Sequence, residues 1–234
     1  MSRFIVVEGL IGVGKTSLCR ILQEAFNAHL VLEPCDDNPF LASFYADPDR
    51  FAFPAQMFYL ATRYRQQEAM SQQQLFSQVI ISDYLFEKDR LFAEQTLDGH
   101  ELDLYDRFAG LLRDSIPNPD LVLFLDSPTD VIMKRIARRS RDAENTIGAD
   151  YLDQLRERYQ SLWRRYTAAP VIHLNTADLN YVDDPEARAT VLGMIRGWID
   201  ELDGPEAPAS TTPGIARPER EAQPSLFGAS NPEG

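Results

Sequence analysis

The sequence is poor in cysteine, in lysine and in long apolar runs, and each of these absences excludes a class of protein. Its two cysteines, Cys19 and Cys35, form neither a metal-ligand spacing nor a disulfide framework. No apolar run reaches membrane-spanning length, and the chain begins directly with a strand-like segment, so we expect a cytoplasmic protein. Only three lysines occur and the net charge is −13, which argues against a general nucleic-acid binder because such proteins need a basic surface.

The chain does contain enough apolar material for one compact domain, because 44% of its 234 residues are hydrophobic. Apolar, β-branched stretches alternate with helical patterns along the first 200 residues. Strands are predicted at residues 3–7, 30–32, 79–82, 121–125 and 171–174, and helices at 16–28, 38–46, 48–74 and 151–166. Such βαβα alternation predicts an α/β fold, a doubly wound five-stranded parallel sheet with helices on both faces.

A phosphate-binding loop lies between the first predicted strand and the first predicted helix. Residues 9–16 read Gly-Leu-Ile-Gly-Val-Gly-Lys-Thr. The glycines allow backbone N–H groups to surround a phosphate chain at the positive end of the helix. The lysine can reach the terminal phosphates and the threonine hydroxyl can hold Mg²⁺. The residues that we expect to bind the triphosphate are Gly9, Gly12, Gly14, Lys15 and Thr16.

Two acidic residues follow predicted strands at the edge of the sheet where ligands bind in open α/β folds. Glu33 comes after the second strand and should project toward the loop, and Asp83 ends the third, where a carboxylate commonly helps to hold Mg²⁺. Arg138, Arg139 and Arg141 crowd a short stretch after a predicted helix, and we expect them to form a lid over the transferring phosphate. The guanine-reading Asn-Lys-x-Asp motif of GTPases is absent.

In this ordered series of motifs, roughly residues 1–200 resemble the deoxynucleoside kinases of bacterial type, which transfer the γ-phosphate of ATP to the 5′-hydroxyl of a deoxyribonucleoside. The resemblance implies the P-loop nucleoside kinase fold with an arginine lid, a role in nucleoside salvage, Mg²⁺ as cofactor and a homodimer. It also implies that Glu33 and Asp83 are the catalytic carboxylates, without showing which of them takes the proton.

The resemblance further assigns substrate contacts. It places Glu33 on the 5′-hydroxyl, Tyr45 and Glu144 on the 3′-hydroxyl, and Gln56, Arg63 and Phe92 near the base. It makes Arg139 and Arg141 catalytic, with Arg139 also contacting ATP. Residues 173–176 are similar to the strand and loop that pass the adenine of ATP.

One departure concerns the residues that follow Asp83. The family has an arginine and a serine after this acid, and the arginine steadies the 5′-hydroxyl and its base; here Tyr84 and Leu85 follow instead. Lys88 or Arg90 could supply the missing charge from the next helical turn. Phe92 lies one residue short of the usual spacing, so the base that this chain prefers is left open.

Two alternatives remain open at this point. A thymidylate-type monophosphate kinase shares the loop, the sheet and the lid, but its acceptor is a phosphate and needs an extra cation over it. Glu33 would repel such a phosphate. A catalytically silent assembly subunit would explain the missing arginine, but the intact loop and the lid arginines argue against it.

From residue 204 the composition changes to proline, alanine and serine, which predicts a kinase domain over residues 1–203 and a disordered tail over 204–234. Within the tail, Gln223, Leu226 and Phe227 resemble the short peptide with which bacterial replication proteins bind the sliding clamp. This is either a weak indication of such a partner or an accidental pentapeptide.

Deleting residues 204–234 should leave both the melting temperature and the turnover number unchanged, because a disordered tail contributes little to the core. Thermal unfolding and a kinase assay on the two chain lengths test this. A large loss in either measurement would show that the tail docks on the domain.

Overall fold

The structure is a computed structural model that describes residues 2–33, 37–73, 77–139, 147–202 and 204. The side chains of Tyr45, of residues 71–73 and of Arg139 lie outside this description. Within the described ranges, no helix combines the length and the apolar character needed to cross a membrane.

The sheet has five parallel strands in the order β2-β3-β1-β4-β5. The strands are β1 (Arg3–Gly9), β2 (His29–Val31), β3 (Val79–Ser82), β4 (Leu121–Asp126) and β5 (Val171–Asn175). The central strands are buried almost throughout, which is why they read as continuous apolar runs rather than as alternating ones. The predicted five-stranded parallel sheet is confirmed.

Eight helices are described between and after the strands. They are α1 (Lys15–Phe26), α2 (Leu41–Ala46), α3 (Pro48–Gln73), α4 (Lys88–Thr96), α5 (Gly99–Arg113), α6 (Thr129–Arg139), α7 (Ala149–Trp163) and α8 (Pro185–Glu201). From β1 the chain crosses to β2 at one edge of the sheet, and the later crossovers then run back across the sheet toward β5 at the opposite edge. Because such crossovers are right-handed, the helices fall on both faces.

Local side-chain chemistry accounts for where the helices start and stop. The helix predicted from residue 38 begins at Leu41, because Asn38 forms a turn in which its Oδ1 accepts from the Phe40 N–H at 2.9 Å. The first helix ends at Phe26 because Asn27 adopts a left-handed conformation with φ 48°.

Among the described residues, two apolar clusters form the core. The larger surrounds the sheet and includes aromatic packing of Phe124 in β4 with Tyr159 and Trp163 in α7, at ring-centroid distances of 5.1 and 5.3 Å. The smaller joins α3, α4 and α5 through residues such as Leu60 and Tyr105. These three helices therefore form a separately packed wall beside the carboxyl ends of the strands.

Gly9→Ala should lower the free energy of unfolding by about 1–3 kcal/mol. Gly9 has φ +149°, and a Cβ atom there would lie 2.3 Å from the backbone oxygen of Leu125 on the paired strand, which cannot move aside. Urea unfolding monitored by circular dichroism measures the change.

Gly110→Ala is the matched control, since Gly110 lies inside α5 and a Cβ atom there would meet no described atom within 4 Å beyond its chain neighbours and the backbone of its own helix. That variant should gain roughly 0.5–1 kcal/mol from helix propensity. Equal stability of the two variants would contradict the close approach at Gly9.

Candidate active site

The phosphate-binding loop joins β1 to the N-terminus of α1. Gly12 and Gly14 take φ values of +80° and +112°, a region that favours glycine, and so turn their backbone into the loop. The Lys15 ammonium donates to the carbonyl oxygens of Gly9 at 2.8 Å and Leu10 at 3.1 Å. Burial, together with the nearby Lys88, lowers the pKa of Lys15. The Lys15 side chain therefore folds back over the loop onto two of its carbonyl oxygens.

Asp83 connects the phosphate-binding loop to Glu33. Its Oδ2 accepts from the Thr16 hydroxyl at 2.9 Å, and its Oδ1 accepts from the Glu33 backbone N–H at 2.7 Å. A hydroxyl and a carboxylate side by side are the hard oxygen donors that Mg²⁺ prefers. The donor set at Thr16 and Asp83 therefore fits a magnesium ion.

Glu33 lies between two cations on the far side of Asp83. Its Oε1 accepts from the Arg63 guanidinium, with Nε at 3.0 Å, and its Oε2 accepts from the Lys88 ammonium at 2.8 Å. All three side chains are about nine-tenths buried or more. Burial alone would raise the pKa of Glu33, but Lys88 and Arg63 outweigh it and hold that pKa far below its usual range. Glu33 is therefore a fixed carboxylate anion.

Asp89 extends this charged cluster, and the sequence analysis missed it. Its Oδ1 pairs with the Arg63 guanidinium, and its Oδ2 accepts from the Tyr105 hydroxyl at 3.0 Å. Arg63, expected near the base, is thus engaged with both Glu33 and Asp89. The available signal was an acid directly after Lys88, in the helical turn already expected to supply a cation to the site.

The structure shows which of the two candidate cations in α4 approaches Glu33. Lys88 contacts Glu33, whereas Arg90 points outward and pairs with Glu94 and Asp106 on the exposed side of the helices. Tyr84, which directly follows Asp83, is fully buried and donates to Gln66 Oε1 at 2.8 Å.

The predicted base-contacting residues lie on the wall formed by α3 and α4. Gln56 is only 7% exposed, so it is not the solvated surface residue that its polarity would suggest. Its Nε2 donates to Thr96 Oγ1 at 3.1 Å, while its Oε1 is buried without a hydrogen-bond partner among the described residues. Phe92 lies beneath the Lys88 ammonium, 5.7 Å from the ring centroid. This wall therefore carries a buried amide and an aromatic ring, and the ring lies beside the Lys88 ammonium that contacts Glu33.

Several of the remaining predicted site residues lie outside the part of the chain that the structure describes. The Tyr45 side chain, the Arg139 side chain, Arg141 and Glu144 belong to the parts of the chain that the structure does not describe. The expectation that Arg138 and Arg139 follow the helix is wrong, because α6 continues through Arg139. The helix runs on because its apolar spacing meets no glycine or proline there. Arg138 is exposed, and its Nη1 lies 3.9 Å from Asp183 Oδ2.

The family model described as deoxynucleoside kinase matches residues 5–200, which is most of the chain. The chain belongs to the deoxynucleoside kinase family. It is therefore a kinase that phosphorylates deoxynucleosides, as the sequence resemblance led us to expect.

Individual relatives agree with the family match. The kinase is 35% identical to the deoxyguanosine kinase of Bacillus subtilis over 75% of this chain and 86% of the relative. It is 30% identical to the deoxyadenosine kinase of Dictyostelium discoideum over 80% of this chain and 77% of that one. A solved deoxyadenosine kinase from M. mycoides with bound dCTP has a TM-score of 0.67 at 20% identity, covering 83% of this chain and 99% of that chain, which shows the shared fold.

Sequence reasoning also missed two residues that tie the kinase site to its surroundings. Glu8 is fully buried and accepts from the N–H groups of Gly9 and Leu85, each at 2.9 Å, and from the Tyr159 hydroxyl at 2.7 Å. An acid inside an otherwise apolar strand was the signal for it. Arg135 in α6 donates to the carbonyl oxygens of Val13 at 3.0 Å and Thr176 at 2.7 Å, and so links the loop to the end of β5.

Proposed function

We propose that this kinase transfers the γ-phosphoryl group of ATP, with Mg²⁺, to the 5′-hydroxyl of a purine deoxynucleoside, and that deoxyguanosine is its preferred acceptor. The observation that carries the reaction is the position of Glu33, whose backbone is hydrogen-bonded to Asp83 while Asp83 is hydrogen-bonded to Thr16 of the phosphate loop. An acceptor held at Glu33 therefore lies beside the phosphates that the loop holds.

The chemistry needs alignment more than it needs covalent help from the protein. Glu33 accepts the hydrogen bond of the 5′-hydroxyl and turns its oxygen toward the γ-phosphorus. The 5′-oxygen forms the new bond to phosphorus, the bond to the β-phosphate oxygen breaks, and ADP leaves with that electron pair. Thr16 and Asp83 would hold Mg²⁺, which neutralises charge on the β- and γ-phosphates when it is bound. The hydroxyl proton passes to one of the two carboxylates, Glu33 or Asp83.

Arg139 and Arg141 are proposed to act on the transferring phosphoryl group from the lid, with Arg139 also on ATP. Positive charge there is worth most when negative charge spreads over the equatorial oxygens in the transition state. Tyr45 and Glu144 are proposed to recognise the 3′-hydroxyl. A site built with buried polar groups for a hydroxyl discriminates strongly against substrates that lack it.

The base preference is supported by the relatives and by the wall of the site. Proteins named deoxyguanosine kinase, from Bacillus subtilis and Lactobacillus johnsonii, are 35% and 30% identical to this chain. Gln56 Oε1, which has no hydrogen-bond partner among the described residues, is proposed to accept from a base N–H group, which guanine provides at N1 and N2. Phe92 is proposed to stack on the base.

A coupled ADP-release assay with ATP and Mg²⁺ against the four deoxynucleosides should show deoxyguanosine with the highest kcat/KM. The margin over the pyrimidine deoxynucleosides should be about tenfold or more, because the site then leaves polar groups unpaired with the wrong base.

Thymidine monophosphate serves as the fifth substrate in the same assay. Turnover on the monophosphate alone would contradict the assignment of Glu33 to the acceptor site and favour a thymidylate-type kinase. Intact ATP binding without any turnover would indicate a silent subunit. Preference for a pyrimidine deoxynucleoside would leave the kinase reaction standing and contradict only the purine assignment.

We also propose that the kinase works as a cytoplasmic homodimer in nucleoside salvage. On α5, Leu104, Phe108 and Leu111 recur at helical spacing and are 44%, 44% and 77% exposed. Exposed apolar side chains gathered on one helix face are typical of an interface between protein chains. The family resemblance suggests that the partner is a second copy. A clamp-type partner for Gln223, Leu226 and Phe227 stays a prediction outside the described residues.

Leu111→Glu should convert a wild-type dimer to a monomer, because it places a charge within the apolar face of α5. Size-exclusion chromatography with light scattering measures the mass. Met194→Glu is the matched control, since Met194 is a 40% exposed apolar residue on α8, and it should stay dimeric. A monomeric wild-type chain would contradict the homodimer.

A further inference from the structure

Lys88 occupies a position that is unfavourable for a lysine. It is the first residue of α4, where the helix dipole disfavours positive charge, and it is only 6% exposed, so its ammonium has lost most of its water. Its Nζ lies 2.8 Å from Glu33 Oε2. The pairing with Glu33 raises the pKa of Lys88 despite the burial that would lower it. The ammonium is therefore kept charged at this site by Glu33.

The two cations that contact Glu33 hold it in different ways. Arg63 binds Oε1 and is itself anchored by Asp89, which is hydrogen-bonded by Tyr105. Oε2 faces Lys88. Since an ionised carboxylate oxygen can accept more than one hydrogen bond, Oε2 can accept the 5′-hydroxyl of a substrate while Lys88 remains in place.

Charge balance depends on Lys88 as well. Glu33 and Asp89 bring two negative charges into the cluster, and Arg63 and Lys88 bring two positive ones. Without Lys88, one guanidinium would serve two buried carboxylates. Glu33 would then be free to turn its second oxygen away from the acceptor position.

We propose that Lys88 is the positioning residue for Glu33 and supplies, from the first turn of α4, the charge that Tyr84 cannot supply directly after Asp83. This inference rests on the proposed function, because Glu33 must be the group that receives the 5′-hydroxyl. Arg90 has no part in it, since its guanidinium pairs with Glu94 and Asp106 at the surface.

The test compares Lys88→Met, Lys88→Arg and Arg90→Met in the full chain, using the ADP-release assay with deoxyguanosine. Lys88→Met should lower kcat by about 10²-fold, because misplacing a group that aligns the reactants costs about that much. Its KM for deoxyguanosine should change little. Lys88→Arg keeps the charge and should recover most of the lost rate, and Arg90→Met should match the wild type.

A double-variant cycle separates positioning from a direct role or a purely structural one. If Lys88 acts through Glu33, then Glu33→Gln combined with Lys88→Met should be about as slow as Glu33→Gln alone. The double variant removes one charge of each sign, so it remains informative even if Lys88→Met fails to fold. Melting temperatures of all variants identify any that have unfolded.

Several outcomes would overturn the inference. A folded Lys88→Met variant with wild-type kcat would do so, as would a double variant far slower than Glu33→Gln, and so would a rate loss in Arg90→Met equal to that in Lys88→Met. A wild-type chain that turns over none of the nucleosides would instead overturn the proposed function, and the inference with it. Failure of the proposed function is therefore seen in the wild-type chain, whereas failure of the inference about Lys88 is seen in the variants.

Discussion

The site depends on the two oxygens of Asp83. One accepts from the Thr16 hydroxyl at the start of α1, and the other accepts from the backbone N–H of Glu33 after β2. Asp83 itself follows β3, so a single carboxylate connects segments that leave three parallel strands at the same edge of the sheet. The distance between the phosphate loop and Glu33, the carboxylate proposed to receive the acceptor, is thereby set by hydrogen bonds to a residue at the end of the sheet, as an alignment-dependent phosphoryl transfer requires.

The second layer of the site is a buried cluster of opposite charges. Breaking such a cluster by removing one partner typically costs 3–5 kcal/mol, whereas the intact cluster adds little net stability. Its value therefore lies in orientation. Arg63 from α3 and Lys88 from α4 approach Glu33 from the helical wall. The packing of that wall through Leu60 and Tyr105 holds the two cations in position.

Much of the fold was predictable because it depends on local patterns. The apolar strands and the long helix α3 were each predicted to within a few residues. The strands were predictable because parallel strands buried on both faces read as continuous apolar runs. Helices α4, α5 and α8 were not individually predicted, and the errors in the other helices lie at their ends, where one side chain decides. Asn38 delays α2, Asn27 ends α1, and the uninterrupted pattern after Ile136 carries α6 through Arg138 and Arg139.

The sequence by itself determined the chemistry whose parts are adjacent in the chain. The phosphate loop needs only a strand, three glycines, a lysine and a threonine in order, so its eight residues and their flanks are enough to identify it. Tertiary structure decided the contacts that cross the chain, because Glu33 meets Arg63 and Lys88 from positions 30 and 55 residues away. Lys88 and Arg90 are near neighbours on one helix and looked equivalent in sequence. Only the packing of α4 shows that one faces the buried carboxylate and the other faces water.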